Sequence, residues 1–382
     1  MNLALVIAEL DPRRGGAEQW TAQFARWLLE QGHRVHLVSR RLRGLKHPHL
    51  RWHPLPPVRH PWQLAQAAEE IVARLSVEVV HDMGLGWSGQ VFQPHGGSRL
   101  AVQQCALSCV PEPLRTLKRH VTGWLPRYRR LRRLCLRQFA DPNRLYVALS
   151  KMVQQHFRQF HRVPQENIRL IYNGVDLQHF DPEPFQRQGK QLRKKHHLQG
   201  GDLLLLCVAH NFRLKGVPEL LTAVASASAV CPRIKLWVVG GRRLGRWRRR
   251  AAYLGLGDRV KFIGAVADPR PWYAAADVLV HPTHYDPCSL VVLEALAMGL
   301  PVLTTTRNGA AERMRHGLHG WVLPGPTDVH QLALALVALA QDADLAAMRK
   351  AVLELRPQLD IHKNFQAIWN CYETLTWQKV AA

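Results

Sequence analysis

The chain has 382 residues, 47% of them hydrophobic, which is enough for two domains with separate cores and too apolar for disorder. Its formal net charge of +24 implies an anionic partner, whether nucleic acid, acidic lipid or a phosphorylated substrate, and composition does not choose among them. Seven cysteines, an odd number with no C-x-x-C pair, argue against a disulfide framework, and no apolar run approaches the roughly 20 residues of a bilayer span.

Met1 leads almost at once into an apolar run with no basic n-region, so no secretory signal is expected and a reducing cytoplasm fits. Short apolar runs at 3–8, 35–38, 77–81 and 145–149 alternate with helical patterns, the first of them at 17–29, as a parallel sheet with crossover helices would. Gly15-Gly16 opens that first helix, with Glu18 in its opening turn. Paired glycines there let a substrate approach the backbone, and the helix N-terminus suits a phosphate or an acceptor. His95-Gly96-Gly97 follows another apolar segment, although an isolated histidine is more often structural.

The stretch 113–139 carries nine Lys or Arg, while Leu114, Leu117, Val121, Leu125, Tyr128, Leu131 and Leu134 recur every three or four residues. Gly123 and Pro126 are expected to break it into two amphipathic helices. Basic helices of this kind suit an anionic membrane surface, where each basic residue adds ~1 kcal/mol; the plainer alternative is a solvated helix face.

Residues 171–185, IYNGVDLQHFDPEPF, hold the turn chemistry of a linker. Beyond it the strand rhythm returns at 203–208, 235–239, 260–263, 278–281 and 302–305. Arg213 and Lys215 lie in the loop directly after the first of these strands, at a carboxyl end where open α/β sheets bind ligands. An arginine and a lysine two apart suit a diphosphate, one as a planar fork and the other as a point charge. Gly240-Gly241 and Gly264-Ala265-Val266 close the next two strands. A second basic cluster, 242–250, has six arginines in nine residues and either extends the first or is a solvated helix.

The most informative stretch is HYDPCSLVVLEALAMGLPVL, 284–303. Asp286 reads as an N-cap, Pro287 as a first-turn residue and Gly299 as a stop, so a helix over 287–298 is expected. At ~1.5 Å per residue, the eight-residue step to Glu294 spaces the two acids roughly 12 Å apart, about the span from a ribose across a diphosphate to a sugar. The N–H groups of Cys288, Ser289 and Leu290 would lie between them at the helix N-terminus. The bland readings are a cap without substrate contact for Asp286 and an arginine salt bridge for Glu294. Farther on, LALALVALA at 332–340 reads as a buried helix, and Asp342-Ala343-Asp344 matches a D-x-D metal motif but follows no strand and is set aside. A last helical stretch spans 364–377.

These motifs, in this order, resemble the retaining glycosyltransferases of family four, whose signature is E-x7-E followed by a small-residue helix and G-x-P-V. The resemblance implies an α/β protein of GT-B class, with two facing Rossmann-like domains and a nucleotide-sugar cleft between them. The acceptor side would be 1–170 completed by 361–382, and the donor side 171–360. It gives Glu294 the ribose, Asp286 and His95 the donor sugar, and Arg213 and Lys215 the charge growing on the departing diphosphate. Gly15 and Gly16 match the family's G-G-x-E, and Gly240, Ala265 and Val266 the loops passing nucleotide and base, with Cys288, Ser289 and Leu290 beside the phosphates. Asp286 is one methylene shorter than the usual glutamate, and Cys288-Ser289 replaces Phe-Gly. The implied reaction needs no metal and no cofactor besides the nucleotide-sugar. Among family members the combination looks most similar to the lipopolysaccharide core glucosyltransferases. That points to glucose from UDP-glucose, a phosphorylated lipid-linked acceptor and a peripheral place on the inner face of the cytoplasmic membrane. The alternatives are another cell-surface polysaccharide transferase with a different donor, or a basic nucleic-acid-binding protein, for which no recognisable module is present.

Overall fold

The computed structural model describes residues 1–58, 60–108, 110, 114–341 and 343–381. It divides into two compact units, Met1–Tyr172 with Lys363–Ala382, and Asn173–His362. Both joints fall two residues beyond the expected ones.

The first unit is built on seven parallel strands, β1 (Asn2–Val6), β2 (Arg34–Ser39), β3 (Leu50–Pro54), β4 (Val79–Asp82), β5 (Val91–Phe92), β6 (Leu145–Ala148) and β7 (Ile168–Leu170). Their spatial order is β3-β2-β1-β4-β5-β6-β7. Leu3 pairs with Val35 on one side and Val79 on the other, which places β1 centrally. Strands covered on both faces read as continuous apolar runs, and β1 and β6 do so, while β4, equally buried, is VVHD. The edges do not: β3 is LRWHP and largely exposed, and β5 and β7 are two and three residues long. These three were not expected from the sequence.

The last helix, Ile361–Ala381, packs on the first unit from residue 363 onward. Trp20 Nε1 donates to Asn364 Oδ1 at 2.8 Å, Phe365 lies against Phe24 with ring centroids 5.2 Å apart, and the Tyr372 hydroxyl meets His81 Nδ1 at 2.6 Å. Pairing a buried hydroxyl with a buried imidazole satisfies two polar groups that would otherwise cost stability.

The basic stretch forms two helices, Leu114–Trp124 and Pro126–Gln138, parted at Leu125. Pro113 lies outside the described residues. The break into two helices is the expected one, and their apolar residues differ in exposure. Leu114, Leu117 and Val121 are exposed on the first helix, and Trp124 is 84% exposed. The second helix turns Leu134 inward, into a cluster with Ala65 and Trp87, and leaves its arginines outside. Leu134 and Cys135 are therefore core, Tyr128 and Leu131 are half-buried, and Leu136 is exposed.

The second unit has six parallel strands, β8 (Leu203–Ala209), β9 (Ile234–Gly240), β10 (Val260–Gly264), β11 (Val278–His281), β12 (Val302–Thr305) and β13 (Gly320–Leu323), in the order β10-β9-β8-β11-β12-β13. Chain order reverses between β8 and β11, and that reversal creates the crevice at which open α/β sheets bind ligands. The apolar helix Val329–Gln341 buries Leu332, Leu336 and Leu339 in this unit's core. Among the described residues no single helix is long and apolar enough to cross a membrane, and the six described cysteines are free. Asp342 lies outside the described residues. Asp344 caps the helix Leu345–Leu355, accepting from the Ala347 backbone N–H at 2.9 Å.

Candidate functional site

Two loops leave the carboxyl ends of β8 and β11 side by side. The His284 backbone N–H donates to the Leu214 carbonyl at 2.9 Å, and the Thr283 hydroxyl donates to the same carbonyl at 3.1 Å. Gly216 lies in the left-handed region at φ 71°, and any side chain there would collide with the Pro282 carbonyl, so the close approach needs glycine. This contact brings Lys215 to Asp286, with Nζ 2.5 Å from Oδ2 and both side chains largely buried. His281 Nε2 stands 3.6 Å from the same oxygen. Burial pushes the Asp286 carboxyl up, but Lys215 first and His281 second pull it down further, so the net shift is well below the usual carboxylate range. His281 itself is pushed down by burial and stays neutral at physiological pH. Arg213, in the same loop as Lys215, is exposed.

The expected helix start is corrected. The helix begins at Leu290, runs to Ala297 and takes Ser289 rather than Asp286 as its N-cap. Residues 286–289 are held instead by the segment after β12. The Asp286 N–H donates to the Arg307 carbonyl at 3.0 Å, the Gly309 N–H to the Asp286 carbonyl at 2.9 Å, and the Ser289 N–H to Asn308 Oδ1 at 3.3 Å. Cys288 is buried, its thiol is pushed up to about 12 by that burial, and its carbonyl accepts from Asn173 Nδ2 at 3.0 Å. Asp286 and Glu294 are therefore not two points on one helix, and the roughly 12 Å spacing from helical rise does not apply. The Ser289 N–H is already satisfied. Of the three expected donors beside the phosphates, only Leu290 lies inside the helix.

Glu294 is buried, with Oε2 accepting from the Tyr273 hydroxyl at 2.8 Å. Burial raises its carboxyl to about 7, and the Tyr273 hydrogen bond partly offsets that. Among the described residues no arginine pairs with it, so the arginine reading of Glu294 is set aside. Gly240 and Gly241 have φ of 93° and 74°, and side chains there would strike the Ala209 carbonyl and the Phe212 ring. They allow the end of β9 to close on the Arg213 loop. Ala265 is exposed and Val266 half-buried beyond β10.

In the first unit, Gly15 is the N-cap and Gly16 the first residue of the helix Gly16–Glu30. Gly15 is extended, at φ −177°, and its missing side chain leaves room for Glu18, whose Oε2 would come within 2.8 Å of an added Cβ. His95 lies against Trp20 with ring centroids 4.8 Å apart and the planes tilted by 53°, and its Nε2 is buried without a partner in the described residues. Burial pushes its imidazole down to about 3, so it stays neutral. Among the described residues no three His, Cys, Asp or Glu side chains are grouped to hold a metal ion.

Tyr273, His281 and Asn308 join the site without having been read from the sequence. Tyr273 sits in a six-residue helix and Asn308 in a turn, and neither position carries a local pattern that announces its partner.

Comparison with known proteins gives the same picture for both units. A model of glycosyltransferase family 4 matches residues 14–179, and one of group 1 glycosyl transferases matches residues 202–342. The chain is 27% identical, over 90% of each chain, to a GDP-mannose-dependent alpha-(1-6)-phosphatidylinositol monomannoside mannosyltransferase of Mycobacterium tuberculosis. It is 29% identical to lipopolysaccharide glucosyltransferase WaaG of Escherichia coli over 46% of this chain and 47% of that one. The fold is similar to the crystal structure of WaaG, with a TM-score of 0.80 and 20% identity, covering 98% of this chain and 99% of that one. It is also similar to Anabaena HepE in complex with UDP-glucose, with a TM-score of 0.73 and 18% identity, covering 98% and 100% of the two chains.

Proposed function

This chain belongs to the family 4 glycosyltransferases, with the two Rossmann-like domains of the GT-B fold, and from that premise we propose that it moves glucose from UDP-glucose, with retention at the anomeric carbon, onto a phosphorylated lipid-linked saccharide such as a lipopolysaccharide core. The observation that carries the reading is the Lys215–Asp286 pair at the β8/β11 switch point, with Arg213 in the same loop. Two cations there suit a diphosphate, and Asp286 suits a sugar hydroxyl. When the donor arrives, Lys215 is shared between Asp286 and the phosphates.

Chemically, the bond from the anomeric carbon to the diphosphate oxygen breaks, and the acceptor oxygen forms its bond on the same face. The acceptor hydroxyl's proton passes to the departing diphosphate. Charge on that diphosphate rises through the step, so Arg213 and Lys215 act most strongly in the transition state. Glu294, ionised, accepts from the ribose hydroxyls, and His95, neutral, offers Nε2 to the donor sugar.

The relatives favour a lipid-borne acceptor more firmly than a particular donor. One is named for GDP-mannose and phosphatidylinositol monomannoside, the other for glucose and lipopolysaccharide. A mannosyltransferase is therefore the second reading. Membrane attachment through 114–138 at the cytoplasmic face belongs to the same proposal, supported by the exposed apolar stripe of the helix Leu114–Trp124 beside the arginine-rich second helix.

The test is turnover of UDP-glucose, GDP-mannose and other nucleotide-sugars with phosphorylated and dephosphorylated lipid acceptors, with the product anomer read by NMR. UDP-glucose, the phosphorylated acceptor and an α product are expected. Preference for GDP-mannose moves the assignment to the second reading, and a β product ends the retaining mechanism.

A further inference from the structure

The amino ends of the first sheet carry a feature that sugar transfer does not use. A cavity of about 480 Å³ opens beside the starts of β1, β2 and β3 and the turn before β4, lined by Arg34, Arg51, Arg74, His36, His49 and His53. In this unit Gly15 and Gly16 lie at the opposite, carboxyl ends of the strands, where open parallel sheets take their substrates. The cavity is therefore not part of the site described above.

Register explains the convergence. β2 and β3 pair so that His36 faces Arg51 and Val38 faces His53, placing cationic and imidazole side chains on neighbouring positions of an edge ribbon. His36 Nδ1 lies 2.9 Å from His53 Nε2, with the rings stacked at 5.1 Å. That contact needs one ring to donate and the other to accept, so it holds only while at least one imidazole is neutral. Among the described residues none of the three guanidiniums has a hydrogen-bond or ion-pair partner. The lining contains no carboxylate. Glu78, just before β4, is exposed, and its carboxylate accepts from the Asn2 backbone N–H at 2.5 Å. Three forks of fixed donors and three imidazoles, converging on a polar cavity without an internal counter-ion, form an anion receptor.

We propose that this cavity binds a phosphate group, supplied by a soluble phosphate compound or by an acidic lipid headgroup. A phosphate bridges the arginines and stabilises protonation of His36 and His53, whose imidazoles are otherwise held down first by burial and then by the charges of Arg51 and, for His36, His53. Arg34 and Arg74 add positive charge from the other elements around them, so without the anion nothing in the lining favours the doubly protonated pair. Binding is therefore coupled to proton uptake.

Inorganic pyrophosphate is the probe, titrated calorimetrically into protein in which Arg213→Ala and Lys215→Ala have silenced the donor loop. One saturable site is expected, tightening by roughly threefold or more from pH 8 to pH 6 as the histidines gain protons. The triple variant R34Q/R51Q/R74Q should weaken it by roughly a hundredfold, while R34K/R51K/R74K keeps part of the affinity, because charge survives without the fork. All three arginines are exposed, so the unfolding temperature should not move. In the otherwise unaltered chain, turnover on a soluble acceptor should also be unchanged by R34Q/R51Q/R74Q, which separates this proposal from the glycosyltransferase reading. If R34Q/R51Q/R74Q also loses affinity for phosphatidylglycerol vesicles, the phosphate is a lipid's; unchanged vesicle binding assigns a soluble one. No saturable binding, or equal binding by R34Q/R51Q/R74Q, overturns the proposal and leaves these charges as guards of an exposed edge strand. A pH-independent affinity removes the histidines from the site.

Discussion

The carboxyl ends of the two sheets are built differently. In the second unit the ionisable groups are paired: Lys215 on Asp286, and the Tyr273 hydroxyl on Glu294. In the first unit the corresponding positions are two glycines and a neutral histidine with an unpartnered Nε2. Buried charges need partners to be tolerated, whereas a neutral imidazole waits for a ligand at modest cost. A group that must meet a dianionic leaving group is thus held ready by a counter-charge, and a group that meets a sugar hydroxyl needs only shape and one nitrogen. Variants that unpair the first kind should do more damage than variants that remove the second.

The largest effect is expected at the Arg213 loop. Lys215→Ala and Arg213→Ala should each lower turnover by about 2 to 4 kcal/mol in barrier, as loss of other oxyanion donors does. They should differ in stability. Lys215→Ala leaves Asp286 buried without its main counter-charge and should cost about 3 kcal/mol in unfolding free energy, while the exposed Arg213→Ala should cost almost none. The pH sign follows from the depressed Asp286 carboxyl. Its pairing contributes stability above the ordinary value of 3.8, lost as pH falls through the lower folded value, and Lys215→Ala should flatten that acid limb. Urea unfolding between pH 2 and 7 checks it, and equal stability of the two variants would undo the contrast between paired and unpaired cations.

Next in size is Glu294→Gln, which should weaken UDP binding by roughly 1.5 to 3 kcal/mol, because ribose hydroxyls donate better to a carboxylate than to an amide. Glu294 is raised from 4.5 to about 7 by burial, so wild-type UDP affinity should climb as pH passes 7 and the variant's should not. Stability has the opposite sign: with the folded carboxyl raised, the wild type loses stability as pH rises from 4.5 to about 7, and Glu294→Gln removes that slope. Tyr273→Phe is a smaller change, about 1 kcal/mol in UDP affinity. Its signature is directional: without the hydroxyl the Glu294 carboxyl rises further, and the affinity profile moves to higher pH. Calorimetric titration with UDP from pH 6 to 8.5 tests both, and an unmoved Tyr273→Phe profile removes its positioning role.

What was legible in the sequence follows the same physics. Central strands buried on both faces announce themselves as apolar runs, and all nine expected strands are present. β3, with its arginine, tryptophan and histidine, is an exposed edge and has no such pattern. The helix over 290–297 was legible, but its start was not. Asp286 and Pro287 have good start chemistry, yet the bonds to Arg307, Asn308 and Gly309 hold that segment out of the helix, and no local rule contains them. Tyr273 was invisible for the same reason, since its partner lies 21 residues away on another element. The basic stretch was legible as two helices, but which of its apolar residues meet solvent was not, because burial of Leu134 depends on Trp87.

The difference in exposure between the two basic helices sharpens the prediction with the smallest expected effect on chemistry. Replacing Arg129, Arg130, Arg132 and Arg133 with Gln should release the protein from anionic liposomes and leave turnover on a short water-soluble acceptor near normal. Attraction to the surface is additive at ~1 kcal/mol per basic residue and screened within ~8 Å at physiological salt. The four arginines are exposed and stand apart from Lys215, Asp286 and Glu294 in the sequence and in the unit that carries them. The structure adds an apolar component on the first helix, where Leu114, Leu117, Val121 and Trp124 form an exposed stripe. Leu117→Ser with Trp124→Ser should therefore weaken liposome binding at every salt concentration, whereas the arginine variant's loss should shrink as salt rises. Leu134→Ser should instead destabilise the fold, since that side chain is core. Flotation with phosphatidylglycerol and with neutral vesicles across a salt series separates the terms. Equal binding of wild-type protein to both lipids would end the electrostatic account, and release by Leu134→Ser without loss of stability would return Leu134 from the core to the membrane-facing surface.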